Sequence, residues 1–318
     1  MRSGAQTLVL LATPLTAAIL RKLRDGPQQQ ATLRKETGHP AQTTLRAQVK
    51  KLCDAGAIEK WRRNRFPGVL EYELTEAGDG LVSVGATLER WLAQGPHGPL
   101  ELGGHSAKAA IRAITEAWSA TMLRALAAKP LTLTELDSVI TALNYPSLER
   151  RLSAMRLVGL VEACNGSAGR GTPYGVTDWA RRSIAPLVTA ARWERQHAPA
   201  ETAPIVKLDV ETAFLLAAAL LPAPSDLSGS CRLAVDLRTK RRPALAGIVI
   251  ALRDGSVSYG TTRLDTEVDA WASGGLQAWF AAMVDGDPAG LELGGDAALA
   301  RSTVECLHVA VFDLALLD

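Results

Sequence analysis

Apolar residues recur along this chain in two periods. Leu45, Val49 and Leu52 fall at i, i+4 and i+7, the spacing of one buried helical face. They predict a helix over Ala41–Ala55, closed by Gly56. Before it, Leu8–Arg24 reads as a helix stopped by Asp25-Gly26-Pro27, and Gln30–Thr37 as a short one ended by Gly38-His39-Pro40. After it the period changes to two. Ile58–Arg62 and Leu70–Leu74 alternate like strands and form a hairpin through Asn64–Gly68. Thr75–Gly78 then starts a last helix, Leu81–Leu92.

The same pattern returns. Leu20, Leu33, Leu45, Val49, Leu52, Gly56 and Ile58 are matched 103 positions later by Leu123, Leu136, Leu148, Leu152, Met155, Gly159 and Val161. After a one-residue slip, Tyr72, Thr75 and Trp91 are matched by Tyr174, Thr177 and Trp193. A register held over that span predicts two copies of one small domain. The second copy reads as helices over Ala109–Ala127, Leu133–Ile140 and Pro146–Leu157, a hairpin over Leu160–Val176, and a helix over Asp178–Glu194. Helix, helix, helix, hairpin, helix is the order of a winged helix-turn-helix.

The tail differs. Leu208–Leu221 reads as a helix. Arg232–Leu237, Ala246–Leu252 and Ser256–Thr261 alternate like strands, the last two joined at Asp254-Gly255, a strong hairpin signal. Thr266–Ser273, Gly275–Met283 and Asp296–Phe312 read as helices, with a short strand at Leu291–Leu293. Linkers at Gly95–Gly104 and His197–Pro204 divide the chain into 1–98, 105–198 and 204–318. The expected class is α+β: two tandem winged helix-turn-helix domains followed by an α/β sandwich.

Charge sharpens this division. The net charge of +2 over 318 residues hides +4 in residues 1–104, +5 in 105–198 and −7 in 199–318. A basic block joined to an acidic one suggests that a polyanion meets the first part. Cys53, Cys164, Cys231 and Cys306 are scattered without CxxC spacing, so no zinc site is expected, and each reads as a small buried apolar residue in a reduced, cytoplasmic chain. The apolar run after Arg2 resembles a secretion signal. Thr13, Pro14 and Thr16 interrupt it, and its repeat partner lies deep inside the chain, so it is read as part of the first helix. No run is long enough to span a membrane. No nucleophile–base arrangement or phosphate loop is visible, so neither enzyme activity nor a cofactor is expected.

A helix that enters the major groove buries one face and offers the other. With Leu45, Val49 and Leu52 inside, the outward face carries Thr43, Arg46 and Lys50, flanked by Gln42, Thr44 and Lys51. Gln and Thr can bond base edges, and Arg can pair with guanine through two hydrogen bonds. The hairpin tip adds Arg62, Arg63 and Arg65 for phosphate. In the second copy Ser147, Arg150 and Arg170 are the corresponding candidates, but Glu149 replaces Arg46 and glycines replace the basic wing.

The segments ILRKLRDGP, TTLRAQVKKLCDAGAIEK, FPGVLEYELTEAGDGL and LERW resemble the HxlR-type winged-helix regulators of bacteria over residues 8–92, and more weakly over 109–193. The resemblance implies a DNA-binding transcription regulator, generally dimeric, with double-stranded DNA as partner. Some members carry a reactive cysteine before the first helix; this chain has none there. The runs LAVDL, GIVIALRDGSVSYG, EVDAWASGG, AWFAAMVDG and LGGDAALARS resemble a sterol-carrier-protein type of domain over 205–312. That resemblance implies an apolar cavity for a small hydrophobic effector, for which Phe214, Trp271, Trp279, Phe280 and Met283 are the candidate ligand residues. The whole then reads as a one-component regulator, either a monomeric pseudo-dimer or a homodimer. Two alternatives stay open: a tail that only dimerises, and winged helices that bind protein instead of DNA.

Overall fold

The computed structural model describes residues 3–62, 70–164, 171–198, 202–222, 224–238 and 243–312. The chain divides into two compact units. The first comprises Ser3–Thr115 with Pro186–Ala203, and the second Glu116–Ala185 with Pro204 onward. These units cut across the three segments expected from the sequence. The stretches 105–115 and 186–198, expected in the second segment, fall within the first unit.

The first unit opens with α1 (Ala5–Leu11) and α2 (Pro14–Arg24). One helix was expected over Leu8–Arg24. Pro14 occupies the first turn of α2 and holds Thr13 extended at φ −83, ψ 120, so the chain breaks there. A two-residue strand, β1 (Gln28–Gln29), leads into α3 (Gln30–Glu36). Gly38 and His39 both take positive φ, 83° and 54°, and reverse the chain into α4 (Gln42–Asp54). β2 (Ile58–Arg62) and β3 (Leu70–Leu74) pair antiparallel, Ile58 opposite Leu74, and β1 adds to the far side of β3. The third strand had no sequence signal. The hairpin connection at Asn64–Gly68 lies outside the described residues.

α5 (Glu76–Ala93) begins at Thr75, whose hydroxyl accepts from the Gly78 amide and donates to the Gly56 carbonyl. α6 (His105–Thr115) packs on α1. The stretch from Pro186 docks by Trp193, whose indole donates to the Ala77 carbonyl at 2.7 Å, and by Glu194. The buried Glu194 carboxylate accepts from the Gly4 and Thr7 amides at 2.6 and 3.0 Å and from the Thr7 hydroxyl. It therefore caps the start of α1, which has no side-chain cap of its own.

In the second unit α7 (Ala117–Ala128) follows a break at the extended Glu116. The expected single helix over Ala109–Ala127 is thus also two, at the repeat position of the first break but without a proline. Then come α8 (Leu133–Val139), α9 (Tyr145–Leu157), β4 (Val161–Ala163), β5 (Tyr174–Val176) and α10 (Asp178–Arg182). A turn at Ser183 separates α10 from α11 (Ile184–His197), where one helix was expected over Asp178–Glu194. Leu131 bridges to Tyr174, the partner positions of Gln28 and Tyr72. Thr177 accepts from the Ala180 amide and donates to the Gly159 carbonyl, as Thr75 does with Gly78 and Gly56.

The tail begins with α12 (Lys207–Ala218), which lies against α7. The Thr212 hydroxyl donates to the Ala120 carbonyl, and the buried Glu211 pairs with Arg124 at 2.8 Å. β6 (Gly229–Arg238), β7 (Pro243–Arg253), β8 (Ser256–Thr261), β9 (Ala270–Gly275) and β10 (Glu292–Gly295) form one sheet in the order β10-β9-β6-β7-β8. Only the β6–β9 pair is parallel. Asp254 and Gly255 both take positive φ in the β7–β8 turn, as that dipeptide predicted. Cys231, Leu233 and Val235 line up with Ala246, Ile248 and Ile250 on one buried face, and α12 and α14 (Ala297–Phe312) pack against the sheet.

Two expectations fail in the tail. The helix expected over Thr266–Ser273 is instead β9. Ala270 and Ala272 point into the core beside Cys231 and Leu233, so sheet pairing overrides alanine's helical preference. The helix expected over Gly275–Met283 is short, α13 (Leu276–Phe280), followed by a π-helical turn over Ala281–Asp285. The cysteines were also expected to be buried. Only Cys231 is, and burial pushes its thiol up to about 11. Cys53 and Cys306 are half-buried, and Cys164 is exposed beside the second hairpin.

Candidate nucleic-acid interface

α4 is amphipathic in the manner a reading helix requires. Leu45, Val49 and Leu52 are buried, while Gln42, Thr43, Thr44, Arg46, Lys50 and Lys51 are all exposed. Two hydrogen bonds without a sequence signal fix its pose. The buried Gln48 donates to the Thr16 hydroxyl of α2 at 2.6 Å. Arg34 of α3 donates to the Pro40 carbonyl at 3.1 Å and holds the turn between the helices. The N-cap of α4 is Ala41, so no side chain occupies the amides of its first turn. Such amides favour an anion. The arrangement presents exposed groups that can bond base edges at one end, a guanidinium in the middle and two ammonium groups at the other.

Residues 11–96 match the HxlR-like helix-turn-helix family. That stretch of the chain is an HxlR-like helix-turn-helix domain. No curated protein matches the chain.

Helix-turn-helix domains of this family mark DNA-binding transcription regulators, so DNA is the partner the HxlR-like domain implies. Within it Lys50 is bound to Asp54 at 2.7 Å, and the Asp54 hydrogen bond holds its ammonium above the usual range. Arg62 is the last residue of β2, so its backbone sits where the strand leaves the sheet. Arg63 and Arg65 lie outside the described residues, as does Arg170. Trp61, beside Arg62, is a large exposed apolar side chain on the same strand, and its place in the alternating pattern did not single it out.

Beyond the HxlR-like match, α9 buries Leu148, Leu152 and Met155 just as α4 buries its stripe. Arg150 is exposed and Ser147 half-buried, its amide held by the N-cap Asn144 at 3.0 Å. Arg151 and Arg156 turn inward. The first stacks over the Trp118 ring at 4.1 Å and the second over Tyr174 at 5.3 Å. Both cations are thereby drawn toward their own domain.

Of the five tail candidates, Phe214, Trp279, Phe280 and Met283 are buried. Phe214 and Trp279 meet edge to face at 4.8 Å, and the Trp279 indole donates to the Ala234 carbonyl. Trp271 is half-buried and stands apart on β9, opposite Gly294 of β10, where any side chain would meet its ring. A cleft of about 330 Å³ opens between α7, α12 and β8, lined by Ala127, Leu215, Ala218 and Val257 among others. None of the five candidates lines it. Among the described residues no helix is long and apolar enough to cross a membrane, and no cluster of metal-binding side chains occurs.

Proposed function

We propose that this protein is a cytoplasmic one-component transcription regulator that grips duplex DNA with α4. The observation that carries the reading is the exposed row from Gln42 to Lys51 over a fully buried opposite face, within an HxlR-like domain. Base edges are read by Gln42, Thr43, Thr44 and Arg46. Phosphates are held by Lys50, Lys51 and the arginines of the wing.

The segment 105–198 is, in this reading, a second winged helix that serves as a built-in partner. Supporting it are the repeated burial of Leu20 and Leu123, Leu33 and Leu136, and Leu45 and Leu148, and the matching hydrogen bonds of Thr75 and Thr177. The packing of α6 and of the chain from Pro186 with α1 and α5 supports an intramolecular pseudo-dimer. The tail acts as a regulatory domain without catalysis. Its sheet, backed by helices, and the cleft beside α12 support a sterol-carrier-like site for a hydrophobic effector.

The DNA reading is tested by titrating duplex at several salt concentrations. Replacing Lys50 and Lys51 together by Ala should flatten the log–log salt slope by roughly 2, about one for each phosphate no longer neutralised. An unchanged slope and affinity would contradict the assignment of this face.

A further inference from the structure

A cleft of about 470 Å³ opens within the first unit, among α1, the end of α4 and the end of α11. This volume lies in the range of small-molecule sites, about 300–1,000 Å³. Leu10 and Trp193 supply apolar wall, and His197 lies against Trp193 with ring centres 5.5 Å apart. Its two carboxylates are already committed. Asp54 holds Lys50, and Glu194 takes the amides of α1. Lys51, exposed at the rim, is the lysine of the lining, and the Gln6 amide and the His197 ring are further polar groups open to a ligand. At the repeat positions of Glu194 and His197 stand Leu92 and Gly95. Packing alone is thus served elsewhere by leucine, whereas burying a carboxylate here carries a desolvation cost.

We propose that this cleft binds a small planar aromatic anion, with its ring against Leu10 and the Trp193–His197 pair and its charge toward Lys51. The inference rests on the reading of α4 as the DNA-contacting helix, because Cys53–Gly56, the end of that helix, forms one wall. An anion held by Lys51 takes that cation from the phosphate backbone, and a ligand moves an equilibrium only by such differential binding. Occupancy therefore weakens DNA binding.

The test is calorimetry of the full chain with naphthalene-carboxylate and its neutral carboxamide, followed by DNA titration with each present. The carboxylate should bind more tightly than the amide and lower DNA affinity. Lys51→Gln should cut the preference for the carboxylate by about three- to fivefold, the size of one exposed ion pair, and remove the effect on DNA. Ala198→Phe, with folding checked by its melting temperature, should fill the cleft and abolish binding of both compounds. No carboxylate binding, or binding that neither variant alters, overturns the proposal. A chain that binds duplex but not the carboxylate refutes the cleft alone. A chain that binds the carboxylate but no duplex refutes the DNA reading and leaves the cleft standing.

Discussion

α4 and α9 are the same length, bury the same three apolar positions and end in the same turn, yet they offer different surfaces. Arg46 corresponds to Glu149, and Lys50 and Lys51 correspond to Ser153 and Ala154. The first turn of α4 has no side-chain cap, whereas Asn144 occupies that of α9. Two of the arginines on α9 are turned onto Trp118 and Tyr174. The buried face sets the fold and tolerates little change; the outward face is under no packing constraint and can be given up. Under the proposed reading, the comparison separates what holds such a domain together from what would let it read DNA.

The largest effect should come from the face the two helices share. Leu45→Ala and Leu148→Ala each empty a fully buried position and should each cost about 2–5 kcal/mol in denaturant unfolding. Similar losses at the two sites would sharpen the comparison. A negligible loss at Leu148 would break it, since the second scaffold would then not be packed as the first is.

The next effect separates the helix starts. Asn144→Ala should destabilise the second unit by about 1 kcal/mol, while Ala41→Asn should stabilise the first by a similar amount or less. The same Ala41→Asn change should weaken DNA binding if phosphate uses the amides of α4. Unaltered DNA affinity would show that those amides are not used.

The smallest effect depends on pH. Thr132 and Glu135 form a reciprocal cap on α8, and the Thr132 amide and hydroxyl hold the Glu135 carboxyl below its usual range. A carboxyl lowered on folding stabilises above its unfolded value and loses that contribution as pH falls through its folded one. α3, capped by Gln29 without a side-chain bond, has no such contribution. The melting-temperature difference between the protein and Glu135→Gln should therefore shrink as pH drops below the ordinary glutamate range. A difference that is constant with pH would remove the cap from the account.

The sequence made the first domain legible almost to the residue. β2 and β3 fall where alternation placed them, and the stripe on α4 is the one its period predicted. What escaped it was decided by distant partners. The break at Glu116 has no proline to announce it, β1 is too short to show a period, and β9 is a strand because β6 lies beside it. The candidate site was legible where a residue type faces outward by helical geometry. Gln48 on Thr16, and the inward turn of Arg151 and Arg156, depend on side chains from other elements and carry no local signal.

The central claim, that α4 reads DNA and α9 does not, is met most directly by selecting bound fragments from a random duplex pool with the full chain and with Arg46→Ala. One enriched half-site is expected, with preference at one base pair relaxed by about 1–3 kcal/mol in the variant. Two half-sites of equal strength about one helical turn apart, or a preference untouched by losing Arg46, would contradict it.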